Sequence, residues 1–135
     1  MASILKVDTI TGVTTAGSIS VTGEGNSTTT NLQQGLAKVF VGFNASTAVE
    51  ESLNVTSLTD VSAGKTNVNF SNNTATAGYA YQYSSNAGSS DDLGGDGPRC
   101  AIAARFTNYC YGITWQGSAY VDSKHNGVHV HGGLA

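Results

Sequence analysis

Two stretches near the middle of the chain, SLNVTSL (52–58) and TNVNF (66–70), set apolar side chains at alternate positions. A period of two suits a strand and does not suit a helix. Between them, DVSAGKT carries Gly64, which reaches positive φ without steric cost. The pair reads as a β-hairpin, with Leu53 and Val55 at one end and Val68 and Phe70 at the other.

The neighbouring runs follow the same rule. LAKVFVGF (36–43) puts Leu36 and Phe40 on one face and Val39, Val41 and Phe43 on the other, as expected for a central strand covered on both sides. YAYQY (79–83) sets Tyr79, Tyr81 and Tyr83 on one face of a further strand. CAIAARF (100–106), YCYGITW (109–115), SAYVDS (118–123) and GVHVHG (127–132) read as strands too. Asn126-Gly127 between the last two is the strongest short hairpin signal in the chain.

Composition supports this and excludes other classes. Charged residues make up 11% of the chain, where about 25% is typical, so the residues that cover helix surfaces are scarce. A hydrophobic fraction of 39% with a net charge of −3 favours a folded chain over a disordered one. The six basic residues are scattered among nine acidic ones, which argues against nucleic acid as a partner. No apolar run approaches the ~20 residues of a membrane span, and the opening MASILKVDTI lacks the order of a secretory signal. The expectation is a chain made in a cytoplasm, without membrane insertion.

The expected fold is all-β: a small antiparallel, jelly-roll-like β-sandwich over residues 36–135, preceded by an extended β segment over residues 1–35. In that first segment ILKVDTI (4–10) and SISVT (18–22) are β-like but have almost no aromatic residue around which to build a core. Such a segment cannot offset its own ordering entropy by burial. Ile4, Leu5, Val7, Ile10, Ile19 and Val21 are therefore candidates for docking against other copies of the chain or against a neighbouring protein.

Candidate sites are few. Tyr79, Tyr81 and Tyr83, with Trp115, offer ring faces on which a sugar could stack, although half-buried packing is the commoner use of such a stripe. Residues 84–98, SSNAGSSDDLGGDGP, are long for a connection and carry Asp91, Asp92 and Asp96, which could meet a receptor or Ca²⁺ but lack the spacing of an EF-hand loop. Cys100 and Cys110 are too few for a disulfide framework and are read as reduced, buried thiols. There is no nucleophile elbow, phosphate-binding loop or carboxylate pair in an apolar setting, so no catalytic residue and no enzymatic activity are expected.

The only histidines, His125, His129 and His131, fall within seven residues. If Asn126-Gly127 is a turn, His125 projects away from the other two, and one chain offers two ligands where structural zinc wants four. Three chains around an axis would bring six imidazoles from His129 and His131, enough for a transition metal; otherwise no cofactor is implied.

SILKVDTI, LQQGLAKVFVGFN (32–44), ESLNVTSLTDVSAGKTNVNFSNN (51–73) and GYAYQY together resemble a module of the tail-fibre-like proteins of phages, marine phages especially. Gln34, Gly35, Leu36, Ala37, Lys38, Phe43, Ser52, Asn54, Val55, Ser57, Asp60, Val68 and Phe70 fit that module's pattern, and SAYVDSKHNGVHVHGG is similar to its last strand. The resemblance implies a virion structural protein, a homotrimer whose N-terminal segment docks to other tail or capsid proteins and whose β domain faces outward towards a host surface glycan or protein. A capsid decoration protein that stabilises the head is the alternative, and a free sugar-binding module is a third reading.

Overall fold

Val39, Val41, Val68, Val128 and Val130 are each at most 1% exposed. β-branched side chains of this kind fit the pleated surface of a strand, and enclosing one is worth about 1.5–3 kcal/mol relative to leaving it in water. In the computed structural model, which describes residues 4–12, 19–23, 28–86 and 99–133, they lie on strands of two antiparallel sheets. Among the described residues the chain is all-β apart from one helical turn.

It divides into two units, Met1–Leu36 and Ala37–Ala135. The first contains β1 (Ser20–Thr22), β2 (Thr29–Asn31) and the helical turn α1 (Leu32–Gly35). β1 and β2 pair antiparallel, with Val21 opposite Thr30. Residues 4–12 form no strand, contrary to the β run expected over 4–10. Ile4, Leu5, Val7 and Ile10 are 52–82% exposed, so the run gains no burial that would hold it extended.

The second unit holds β3 (Ala37–Asn44), β4 (Val49–Leu53), β5 (Val55–Ser62), β6 (Lys65–Phe70), β7 (Ala80–Asn86), β8 (Arg99–Arg105), β9 (Tyr109–Gln116), β10 (Ala119–Tyr120) and β11 (His125–His131). One sheet has the order β4-β3-β11-β7; the other runs β5-β6-β9-β8, with the short β10 also paired to β9. They form a sandwich-like arrangement. Sequential hairpins β3–β4, β5–β6 and β8–β9 stay within a sheet, and the links after β4, β6, β7 and β10 cross to the other. The jelly-roll likeness thus rests on two packed sheets of four principal strands.

The core between them joins Val39, Val41 and Phe43 to Val68 and Phe70, Ile102, Cys110, Val128 and Val130. Tyr79 closes one end, its ring edge-on to Phe70 at 6.0 Å. Tyr83 packs against this cluster and fills the space above Gly112, where a β-carbon would come within 3.0 Å of the ring.

The hairpin β5–β6 forms as expected, turning through Gly64 at φ +64°. Leu53, however, belongs to β4 in the other sheet and is 47% exposed. The chain changes sheets in a single residue, Asn54, whose φ of +58° is held by its side chain. Its Oδ1 accepts from the Asn72 amide at 2.7 Å and its Nδ2 donates to the Asn72 carbonyl at 3.1 Å.

β3 is internal to its sheet, but it is not covered on both faces, since Phe40 is only half-buried and Leu36 lies outside the strand, 54% exposed. SAYVDS contributes only Ala119–Tyr120 as strand. Beyond Tyr120 the backbone is drawn off by the Val121 amide donating to the Thr114 carbonyl, and by Asp122 Oδ1 accepting from the Gly64 amide at 2.6 Å.

Asn126-Gly127 is not a turn. Both residues sit inside β11, which runs unbroken between β3 and β7 and pairs Asn126 with Phe43 on one side and Ser85 on the other. Asn126 Nδ2 donates to the Ser123 carbonyl at 3.0 Å, and two ladders outweigh the local preference for a turn.

Candidate functional site

The three tyrosines are divided by depth. Tyr81 and Tyr83 stand opposite Val130 and Val128 on the inward face of the sheet, and Tyr79 precedes β7 as part of the core. Tyr79 donates its hydroxyl to the carbonyls of Phe106 (3.3 Å) and Tyr109 (3.4 Å), and Tyr83 donates to Asn126 Oδ1 at 3.1 Å. Burial pushes the Tyr79 phenol up to about 12 and raises that of Tyr83 as well. Both rings act as packing. Only Tyr81, 43% exposed at the edge strand, keeps an accessible face, and the Arg105 guanidinium lies 5.5 Å from its centroid.

Trp115 points the other way. Because Cys110, Gly112 and Thr114 of β9 are turned inward, Tyr109, Tyr111, Ile113 and Trp115 form a row on the outer face. The register puts Arg99 of β8 and Tyr120 of β10 on either side of Trp115, and Ala101 and Lys65 on either side of Ile113. The Lys65 ammonium sits 4.2 Å from the Tyr120 ring centroid. Ile113, Trp115, Tyr120 and the β9–β10 turn border an open hollow of about 250 Å³. That turn is a two-residue connection with Gly117 at φ +58°, as hairpins with glycine in the first central position require. At the far end of the row, Phe106 and Tyr109 stack at 4.4 Å.

The period of two in YCYGITW held this row of side chains, but the sequence did not say which side would face water. Arg99, Lys65 and Tyr120 join Trp115 only through strand register, which a single sequence does not display.

The continuity of β11 also corrects the histidine geometry. His125, His129 and His131 occupy odd positions of one strand and all project outward from the same sheet, so His125 is not on the opposite side. His125 Nδ1 lies 3.7 Å from Glu50 Oε1, and His129 tilts against Phe40 at 6.1 Å. β11 is an interior strand, which places His129 and His131 in the middle of a sheet face. Among the described residues no three His, Cys, Asp or Glu side chains gather as a metal-binding group.

Cys100 and Cys110 are free. Cys100 pairs with Thr114, four residues along β9 from Cys110, so about 13 Å of strand separates them. Burial raises the Cys110 thiol to about 12 and leaves it unreactive. In the first unit Ile19 is half-buried and Val21 is 51% exposed. Asp91, Asp92 and Asp96 lie outside the described residues. No helix among the described residues is long and apolar enough to cross a membrane. No family model, curated protein or solved structure matches this chain.

Proposed function

We propose that the chain is a non-enzymatic structural subunit of a phage particle, a tail-fibre or spike-like protein that works as a homotrimer and takes part in attachment to the host. The observation that carries this reading is the contrast between the two units. The sandwich has a closed core of its own, whereas the first unit leaves Ile4, Leu5, Val7, Ile10 and Val21 more than half exposed. Isolated apolar residues at a surface are ordinary, but five within one small unit favour a segment completed by neighbouring chains. The resemblance of LQQGLAKVFVGFN and ESLNVTSLTDVSAGKTNVNF to tail-fibre modules points the same way.

In this reading the first unit docks to tail proteins and the sandwich projects outward. The outer face of β4, β3 and β11, with Leu53, Phe40 and the histidine row, faces a threefold axis, where His129 and His131 of three copies would hold a transition metal in layers. Deleting residues 1–36 and following incorporation into particles tests the docking role. The sandwich should remain folded and be lost from the particle, and retained incorporation would overturn the reading. Copy number separates it from a capsid decoration protein, since tens of copies suit a tail and hundreds a shell.

A further inference from the structure

We propose that the outer corner formed by β8, β9 and β10 binds an acidic sugar, with Trp115 and Tyr120 stacking on the ring and Arg99 and Lys65 meeting its carboxylate or sulfate. The inference rests on the attachment role above and gives it a site and a ligand class.

Trp115 and Tyr120 are directly opposed in the β9–β10 ladder, so their side chains are neighbours on one face. Tyr120 is 48% exposed and Trp115 half-buried, with the 250 Å³ hollow open beside them and room in it for a sugar ring. Flat rings presented in this way suit the C–H face of a pyranose. The polar groups of Ser118 and the turn backbone line the same hollow and can meet hydroxyl groups.

Charge selects the class of sugar. Arg99 is the β8 partner of Trp115, and Lys65 leans over Tyr120 at 4.2 Å, so two of the chain's six basic residues flank one aromatic pair. Among the described residues the ion pair present is His125–Glu50 on the other sheet, so no carboxylate of the described residues lies within 4.0 Å of the Arg99 or Lys65 nitrogens. A neutral glycan would offer neither cation a counter-charge, whereas an acidic one offers it to both. Nucleic acid is disfavoured, since two cations do not neutralise a run of phosphates.

Trp115 is the chain's single tryptophan, so its fluorescence reports on this corner directly. The full-length protein is titrated with a panel of acidic oligosaccharides (galacturonate, alginate, sialylated and sulfated oligomers) and with a neutral galactose oligomer. The expected result is a saturable change in Trp115 emission with at least one acidic oligomer, weakened by added salt, and binding of the neutral oligomer at least about tenfold weaker. Arg99→Gln and Lys65→Gln should each weaken the acidic ligand by about tenfold without moving the thermal midpoint, a loss suited to a charge-assisted contact. No response across the acidic panel, equal binding of acidic and neutral oligomers, or indifference to both substitutions would overturn the assignment. Particle incorporation is read separately: a virion subunit that ignores acidic sugars loses this inference alone, and a sugar-binding chain absent from particles loses the attachment role alone.

Discussion

The amide of Thr114 in β9 donates to the carbonyl of Gly64, the turn residue between β5 and β6, at 2.8 Å. The contact ties a hairpin tip to the far end of its neighbour and leaves no space beside Gly64. A β-carbon there would lie 2.6 Å from the Val121 nitrogen and closer still to the Thr114 oxygen. Gly117 has a similar φ, +58° against +64°, with nothing within 4 Å of the corresponding position.

Gly117→Ala should therefore lose only the backbone preference, about 1–2 kcal/mol. Gly64→Ala adds steric overlap to the same loss and should be roughly twice as destabilising or more. Denaturant unfolding of the two variants beside the parent checks the order, and equal losses would refute the tie at Gly64.

Asn54 separates two strands of different sheets, so its conformation and its side-chain bonds can be tested apart. Asn54→Gly keeps the positive φ and loses the bonds to Asn72, about 1 kcal/mol each for those that count. Asn54→Ala loses both and should be less stable than Asn54→Gly by a further 1 kcal/mol or so, given the left-handed backbone. Calorimetry on the two variants settles the ranking.

Much of this was legible in the sequence, and two of the departures share one cause. The runs around Val39, Val68 and Tyr111 appeared as strands because alternation and β-branching agree there. Asn126-Gly127 and Leu53 were misplaced because each is decided by a partner strand: β3 and β7 hold Asn126 extended, and the Asn54–Asn72 bonds send Leu53 to the other sheet. The tyrosine stripe allowed either a platform or half-buried packing, and Tyr79 and Tyr83 take the second course, lying within the core or against it. The exposed aromatic corner needed Arg99, Lys65 and Tyr120, far apart in sequence and united by register.

Alkaline pH should unfold the sandwich. Tyr79 titrates at 10.0 in an open chain and at about 12 in its buried site, so the folded state holds the proton more tightly. Its contribution is complete below pH 10 and is lost as pH rises towards 12. The Cys110 thiol, moved from 9.0 to about 12, adds a loss of the same sign that begins nearer pH 9. Stability measured from pH 8 to 12 should fall across that window, and Tyr79→Phe should make the fall shallower. An unchanged slope in that variant would exclude Tyr79 as a cause.

If three chains share a metal through His129 and His131, chelation should lower both the trimer fraction by light scattering and the thermal midpoint. The double variant His129→Ala/His131→Ala should start from the lowered state and ignore the chelator. His125→Ala, which removes only a half-exposed pair with Glu50, should change stability by less than about 0.5 kcal/mol. A parent protein indifferent to chelation would discard the shared metal.

The core residues named above all lie within residues 37–135, and this fragment should fold when produced alone. Phe43→Ala in that fragment, at a site 2% exposed, should cost about 3–5 kcal/mol. A fragment that shows no cooperative unfolding would mean that the first unit supplies part of the interior.

The unbroken course of β11 also governs how the molecule ages. An asparagine followed by glycine is the pair most prone to cyclise and lose its amide, because the glycine nitrogen easily reaches the side-chain carbon in a supple chain. Asn126, clamped between two strands and hydrogen-bonded through both ends of its amide, is held away from that geometry. The bond that decays first in the unfolded chain is shielded in the folded one, so the loss of that amide should follow the loss of the fold rather than precede it.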